Sequence, residues 1–139
     1  MRDIKFRGFT INEEKYGNGK DGWIYGNLLL LENKKAQIQD INDDNFFKFI
    51  DIKSLGQYTG SKDKNGKEIY EGDIVQIPND YELYGTDSGE MYEVYFAYGG
   101  FRLKPKYNSK ARGHCLEDYN EVEIVGNKFD NPELLEEGE

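Results

Sequence analysis

The 139-residue sequence predicts a mainly β fold: a small, partly open barrel or meander of short strands with tight hairpins, and one short C-terminal helical turn. Three observations carry this expectation. Ile, Val, Phe, Tyr, Trp and Thr together number 38, against 3 Ala and 10 Leu, a balance that suits a pleated surface better than a helix. The 16 glycines fall mostly between the apolar runs, where they mark turns. The runs themselves are short, and several alternate apolar with polar residues.

Taken in order, Ile4 to Thr10 reads as a half-buried strand with a bulge at Gly8, and Glu13 to Asp21, around Gly17-Asn18-Gly19, as a turn. Trp23 to Leu31 is a second strand, ended by the polar turn Glu32 to Lys35, and Gln37 to Ile41 alternates cleanly as a third. Phe46 to Ile52 fits a strand or a short helix equally well, so periodicity leaves it open. Asn65-Gly66 is the dipeptide that best tolerates positive φ, which predicts a tight two-residue reversal there. Glu71-Gly72-Asp73 turns the chain into Ile74 to Ile77, which Pro78 stops. Asn79 to Glu90 reads as a polar loop, Met91 to Tyr98 and Phe101 to Lys104 as a hairpin around Gly99-Gly100, and Glu121 to Val125 as the last strand. Asn131 as cap and Pro132 at the first helical position predict the helical turn that follows. One domain is expected over 1–139, with an N-terminal β lobe (1–54), a C-terminal β-barrel lobe (55–135) and a frayed acidic tail (136–139).

The composition bounds the function classes. The 27 acids and 18 bases give a net charge of -9. Apolar residues with Gly amount to 56 of 139, or 40%, below the roughly 45–50% of ordinary domains, so the core is thin. Eleven tyrosines and burial against another subunit would offset this. The longest aliphatic block, Leu28 to Leu31, is far short of the ~20 residues a membrane helix needs. The N-terminal residues carry no secretory pattern, and the lone Cys115 allows neither an internal disulfide nor a cysteine zinc cage, so a reducing cytoplasm is expected.

Charge is unevenly distributed. Residues 113–139 hold nine acids and only Lys128, whereas 1–112 are nearly balanced. Asn79 to Glu93 has five acids and no base, and Arg102 to Arg112 has five bases and no acid. The two stretches are expected to face each other. The alternative use of the basic stretch is to hold nucleic acid, with Arg102, Lys104, Lys106, Lys110 and Arg112 tracking phosphates and Tyr107 stacking a base.

Other constellations fail on chemistry. Gly60 to Glu68 has the wrong spacing for a phosphate loop and a carboxylate where the hydroxyl belongs. Asp40, Asn42 and Asp44 begin a calcium-loop pattern, but Asn45 replaces its Gly and Lys48 occupies a ligand position. His114 and Cys115 are adjacent, so in a strand they point to opposite faces and form no nucleophile–base pair. No catalytic, cofactor or metal residue is assigned.

The run Gly56-Gln57-Tyr58-Thr59-Gly60, followed by Asp63-Lys64-Asn65-Gly66-Lys67-Glu68-Ile69-Tyr70-Glu71-Gly72-Asp73-Ile74-Val75, resembles the hallmark of the YopX family of phage and prophage proteins. Lys5-Phe6-Arg7, Gly99-Gly100-Phe101, Ile124-Val125-Gly126-Asn127 and Asp130 to Leu135 add shorter matches. The resemblance implies a mainly β protein encoded by a phage or prophage, and it carries over no catalytic or binding residue. The expected function is a non-catalytic module that binds itself, as a homo-oligomer, or another phage or host protein. The alternative is a part in nucleic-acid transactions, either through residues 102–112 or by offering an acidic surface to a DNA-binding protein. No enzyme activity, cofactor or membrane association is expected.

Overall fold

The computed structural model describes residues 3–11, 22–106, 113–119 and 121–136. They form two compact units, residues 1–58 and 59–139.

In the N-terminal unit, β1 (Phe6–Thr10), β2 (Trp23–Leu30), β3 (Ala36–Asp40) and the first part of β4 (Phe47–Lys62) pair antiparallel. Because β1 pairs with both β2 and β4, the four strands close into a ring. The barrel-like closure thus falls in this unit. Its interior is small: Ile24, Ala36, Ile38 and Ile50 are buried, with Phe6, Leu28 and Leu55 packed around them. Segment 46–52 is strand from Phe47 onward, because β3 and β1 both take up its backbone hydrogen bonds.

The bulge expected at Gly8 lies on the partner strand. β1 runs through Gly8 in unbroken register with β2, from Phe6↔Gly26 to Phe9↔Trp23. Against β4 the register jumps from Arg7↔Gly56 to Phe9↔Asp51, so the extra residues belong to β4. Ser54 in that bulge accepts the Phe9 N–H at 2.7 Å, replacing the ladder bond that the bulge removes. Gly8 is needed for space: a Cβ there would lie 2.8 Å from Ile50 Cβ. The acidic turn after β3 is held by its own side chains, as Asp40 and Asp43 carboxylates accept the N–H groups of Asn42 and Asn45.

In the C-terminal unit, the end of β4 pairs with β5 (Glu68–Tyr70). A second sheet has the order β10-β6-β7-β8-β9, formed by β6 (Asp73–Gln76), β7 (Met91–Ala97), β8 (Gly100–Pro105), β9 (His114–Cys115) and β10 (Glu123–Asn127), all antiparallel. Ile69, Val75, Ile77, Tyr92, Val94, Leu103, Leu116 and Val122 form its buried core. The polar loop after Pro78 contains a short helix, α1 (Tyr81–Tyr84), started by Asp80, whose carboxylate accepts from the N–H groups of Glu82 and Leu83.

Both hairpins occur where turn chemistry placed them, with different turn residues. Gly66 has φ +81°, but Asn65 keeps negative φ. The Gly66 N–H donates to Asp63 O and the Asp63 N–H to Lys67 O, which makes a three-residue turn ending in a left-handed glycine. In the second hairpin Ala97 pairs with Gly100, so the turn residues are Tyr98 and Gly99, at φ 53° and 79°. The C-terminal helical turn is a 3-10 turn, Pro132–Leu135. Asn131 does not cap it by side chain; its Oδ1 accepts the Asn127 N–H. The turn expected over 13–21 and tail residues 137–139 lie outside the described residues.

Candidate functional site

The residues of the YopX-like motif are occupied with structure. Asp63, only 6% exposed, accepts at Oδ1 from the N–H groups of Asn65 and Lys67, both at 2.9 Å, and at Oδ2 from Ile124 at 3.1 Å. Burial raises its carboxyl pKa, but the three backbone donors and the Lys67 charge outweigh burial and hold it below the ordinary carboxylate value. Thr59 donates to Ile69 O, and buried Asp73 accepts the Tyr70 N–H at 2.7 Å. This motif builds a hairpin and ties it to the last strand.

The basic stretch is only partly placed, because Tyr107, Lys110 and Arg112 lie outside the described residues. Arg102 and Lys104 occupy alternate positions on β8, and Lys106 follows the strand. Arg102 donates to Cys115 Sγ at 3.4 Å and lies 5.7 Å from the Tyr98 ring. Lys104 stands opposite Glu93, whose carboxylate is 3.4 Å from the ammonium of Lys128. The pairing expected between 79–93 and 102–112 therefore has two cross-strand positions among the described residues, Tyr92↔Pro105 and Glu93↔Lys104, of which only the second joins opposite charges.

The acidic segments instead surround an aromatic cleft of about 540 Å³, lined by Leu83, Tyr84, His114, Asp118, Tyr119 and Glu121. It is brought together by α1, the 3-10 turn after it (Gly85–Asp87), β9, the 3-10 turn Leu116–Asp118 and the residues that follow that turn. His114 Nε2 lies 3.2 Å from Asp87 Oδ2 and 3.3 Å from the Tyr119 hydroxyl, which is itself 3.4 Å from the same carboxylate oxygen. The Tyr84 hydroxyl donates to Glu121 at 3.3 Å. The Tyr84 and Tyr119 rings are 6.1 Å apart and inclined at 37°, and the edge of His114 packs on Tyr119 at 4.8 Å. Beneath them Tyr92 is fully buried, 5.8 Å from His114. Burial, then the Asp87 charge, pushes the Tyr92 and Tyr119 phenols above their ordinary value; at Tyr84, desolvation and Glu121 act in the same direction. The rings therefore stay neutral against a negative surround.

Sequence reasoning weighed His114 only against Cys115. In the fold the two engage separate partners, Asp87 and Arg102, and Asp87 lies 27 residues from His114. The one available signal was that the only histidine falls in a base-free acidic segment, 113–127, with a second such segment at 79–93.

A second surface stands out on the N-terminal unit. Along β2, β3 and β4 the residues alternating with the buried ones are Tyr25, Asn27 and Leu29, then Gln37, Gln39 and Ile41, then Phe47 and Phe49. Register sets them side by side, with Asn27↔Gln39↔Phe47 and Leu29↔Gln37↔Phe49. Tyr25, Leu29, Ile41 and Phe47 are exposed, and charge enters at the margin, where Lys35 lies 5.8 Å from the Phe49 ring and Asp51 follows Phe49 in the β4 alternation. Among the described residues no helix is long and apolar enough to cross a membrane.

A strand ring in one unit, a five-stranded antiparallel sheet in the other and the motif at β4–β6 define a small, mainly β protein of the YopX type. The chain belongs to the YopX family, whose model, described as YopX protein, matches residues 5–136. It is 34% identical over 76 residues to the "SPbeta prophage-derived uncharacterized protein YopX" of Bacillus subtilis, over 51% of this chain and 52% of that protein. The match thus spans about half the length of that curated relative. The crystal structure of protein EF1440 from Enterococcus faecalis is similar at 24% identity, with a TM-score of 0.48 over 98% of this chain and all of that one.

Proposed function

We propose that this is a phage-derived, cytoplasmic, non-catalytic interaction module that associates with a second copy of itself through the mostly apolar outer face of β2, β3 and β4. The prophage origin of the Bacillus relative supports the phage derivation. The observation that carries the self-association is the face itself, which is mostly apolar and amide-rich, as the centre of an interface is, with charge only at its margin, where Lys35 lies 5.8 Å from the Phe49 ring and Asp51 continues the β4 row. Charge distribution names the occupant. Residues 1–58 hold nine acids and nine bases, whereas 59–139 hold eighteen acids and nine bases. The whole net charge of -9 lies on the C-terminal unit, so two copies meet with least repulsion through the neutral one.

Light scattering across a wide concentration range tests this. The expected mass rises toward twice 16.1 kDa, and Phe47→Glu with Ile41→Lys returns it to 16.1 kDa. A wild-type mass that stays at 16.1 kDa throughout overturns the reading. The nucleic-acid alternative through residues 102–112 predicts binding to labelled single or double strands that falls steeply with salt.

A further inference from the structure

We propose that the cleft between Tyr84 and Tyr119 receives the guanidinium of an arginine side chain presented by a basic partner protein. The segments that build it, 79–93 and 113–121, carry eight acids and no lysine or arginine. A cleft walled by one sign of charge concentrates ligands of the other. Its lining is suited to a delocalised cation. The two tyrosine ring centroids are 6.1 Å apart with the rings tilted at 37°, and a cation in the cleft within about 6 Å of a ring centroid is attracted by that ring's face. The exposed carboxylates of Asp118 and Glu121 stand beside them, and among the described residues neither makes an ion pair.

A planar guanidinium answers both features, since it stacks on an aromatic face and forks hydrogen bonds to carboxylates, whereas a compact, strongly hydrated ammonium does the first poorly. Metal chemistry is the weaker fit, because among the described residues no three of His, Cys, Asp and Glu come together as metal ligands. The wall of the cleft is cross-linked: polar atoms of His114, Asp87 and Tyr119 are mutually within 3.4 Å, and His114 packs on fully buried Tyr92. The cleft is therefore formed before a ligand arrives, which reduces the ordering cost of binding. This inference is independent of self-association, which uses the other unit.

The test is fluorescence anisotropy with the full-length protein and three labelled peptides of the same Gly-spaced sequence, carrying arginine, lysine or citrulline. Saturable binding of the arginine peptide is expected, weaker by roughly three- to tenfold for lysine and lost for citrulline. Glu121→Gln, at the rim, and Tyr84→Leu, whose ring also packs on the core, should each weaken the arginine peptide by a similar factor, read at a temperature where a thermal melt shows both variants folded. Equal binding of the arginine and lysine peptides would show attraction by net charge alone and overturn the proposal. So would arginine binding indifferent to both variants, or no binding at low salt.

Discussion

Asp63 shows how one side chain can hold two distant parts of a chain. Its carboxylate organises the turn at Lys64 to Lys67 and also takes the N–H of Ile124, 61 residues away. Asp63→Asn keeps one acceptor oxygen and sets an amide N–H₂ against a backbone donor, so a loss of about 1–3 kcal/mol is expected in urea melts at neutral pH. The pH dependence has a definite sign. The folded pKa is below the unfolded value of roughly 3.9, so this contribution is fully present above about pH 4 and is lost as pH falls through the folded value. The gap between wild type and Asp63→Asn should therefore narrow on acidification. At Gly66, with φ +81°, an added Cβ meets nothing within 4 Å, so the cost of substitution is purely conformational. Gly66→Val should destabilise by about 1 kcal/mol or more in the same melts. The glycine's role was legible because Asn-Gly is a local signal. The reach of Asp63 to Ile124, and of Asp87 to His114, was not, because no local pattern encodes a contact between side chain and distant strand.

At the level of elements, the hairpin of β7 and β8 carries an unusual turn residue. Tyr98 is 93% exposed and left-handed, a conformation costing most side chains roughly 1–2 kcal/mol. Nearby Arg102 returns part of that through the Tyr98 ring. Tyr98→Asn should raise stability by up to about 1 kcal/mol, read as a higher melting temperature, because Asn tolerates that backbone. The hairpin itself was readable from Gly99-Gly100 and its flanking alternation, although the turn sits one residue earlier. Two other elements were obscured for physical reasons. Segment 47–52 takes its state from the strands on either side, which override an ambiguous period. α1 is a single turn of four residues whose sequence signal is its cap, Asp80, set in a stretch otherwise polar enough to read as loop.

For the whole molecule, charge separates the two proposed contacts. Self-association brings together bodies of like net charge, so added salt should strengthen it by screening, as seen in the mass from light scattering. Arginine-peptide binding joins opposite charges, so the same salt should weaken it. Slopes of the same sign would mean that one of the two contacts is misassigned. The acidic C-terminal end was visible in composition, but the boundary between a neutral and an acidic unit lies at Tyr58–Thr59, inside β4, where no linker composition marks it.

Trp23, the chain's single tryptophan, stands in the strand ring with Phe9 edge-on at 5.5 Å and the Arg7 guanidinium 4.7 Å from its ring. Eight of the eleven tyrosines belong to residues 59–139. Light absorbed at the red edge of the ultraviolet spectrum therefore interrogates the N-terminal unit alone, while phenol absorbance is dominated by the C-terminal one. The natural sequence carries a two-colour optical label, with which the melting of each unit can be followed without attaching a dye.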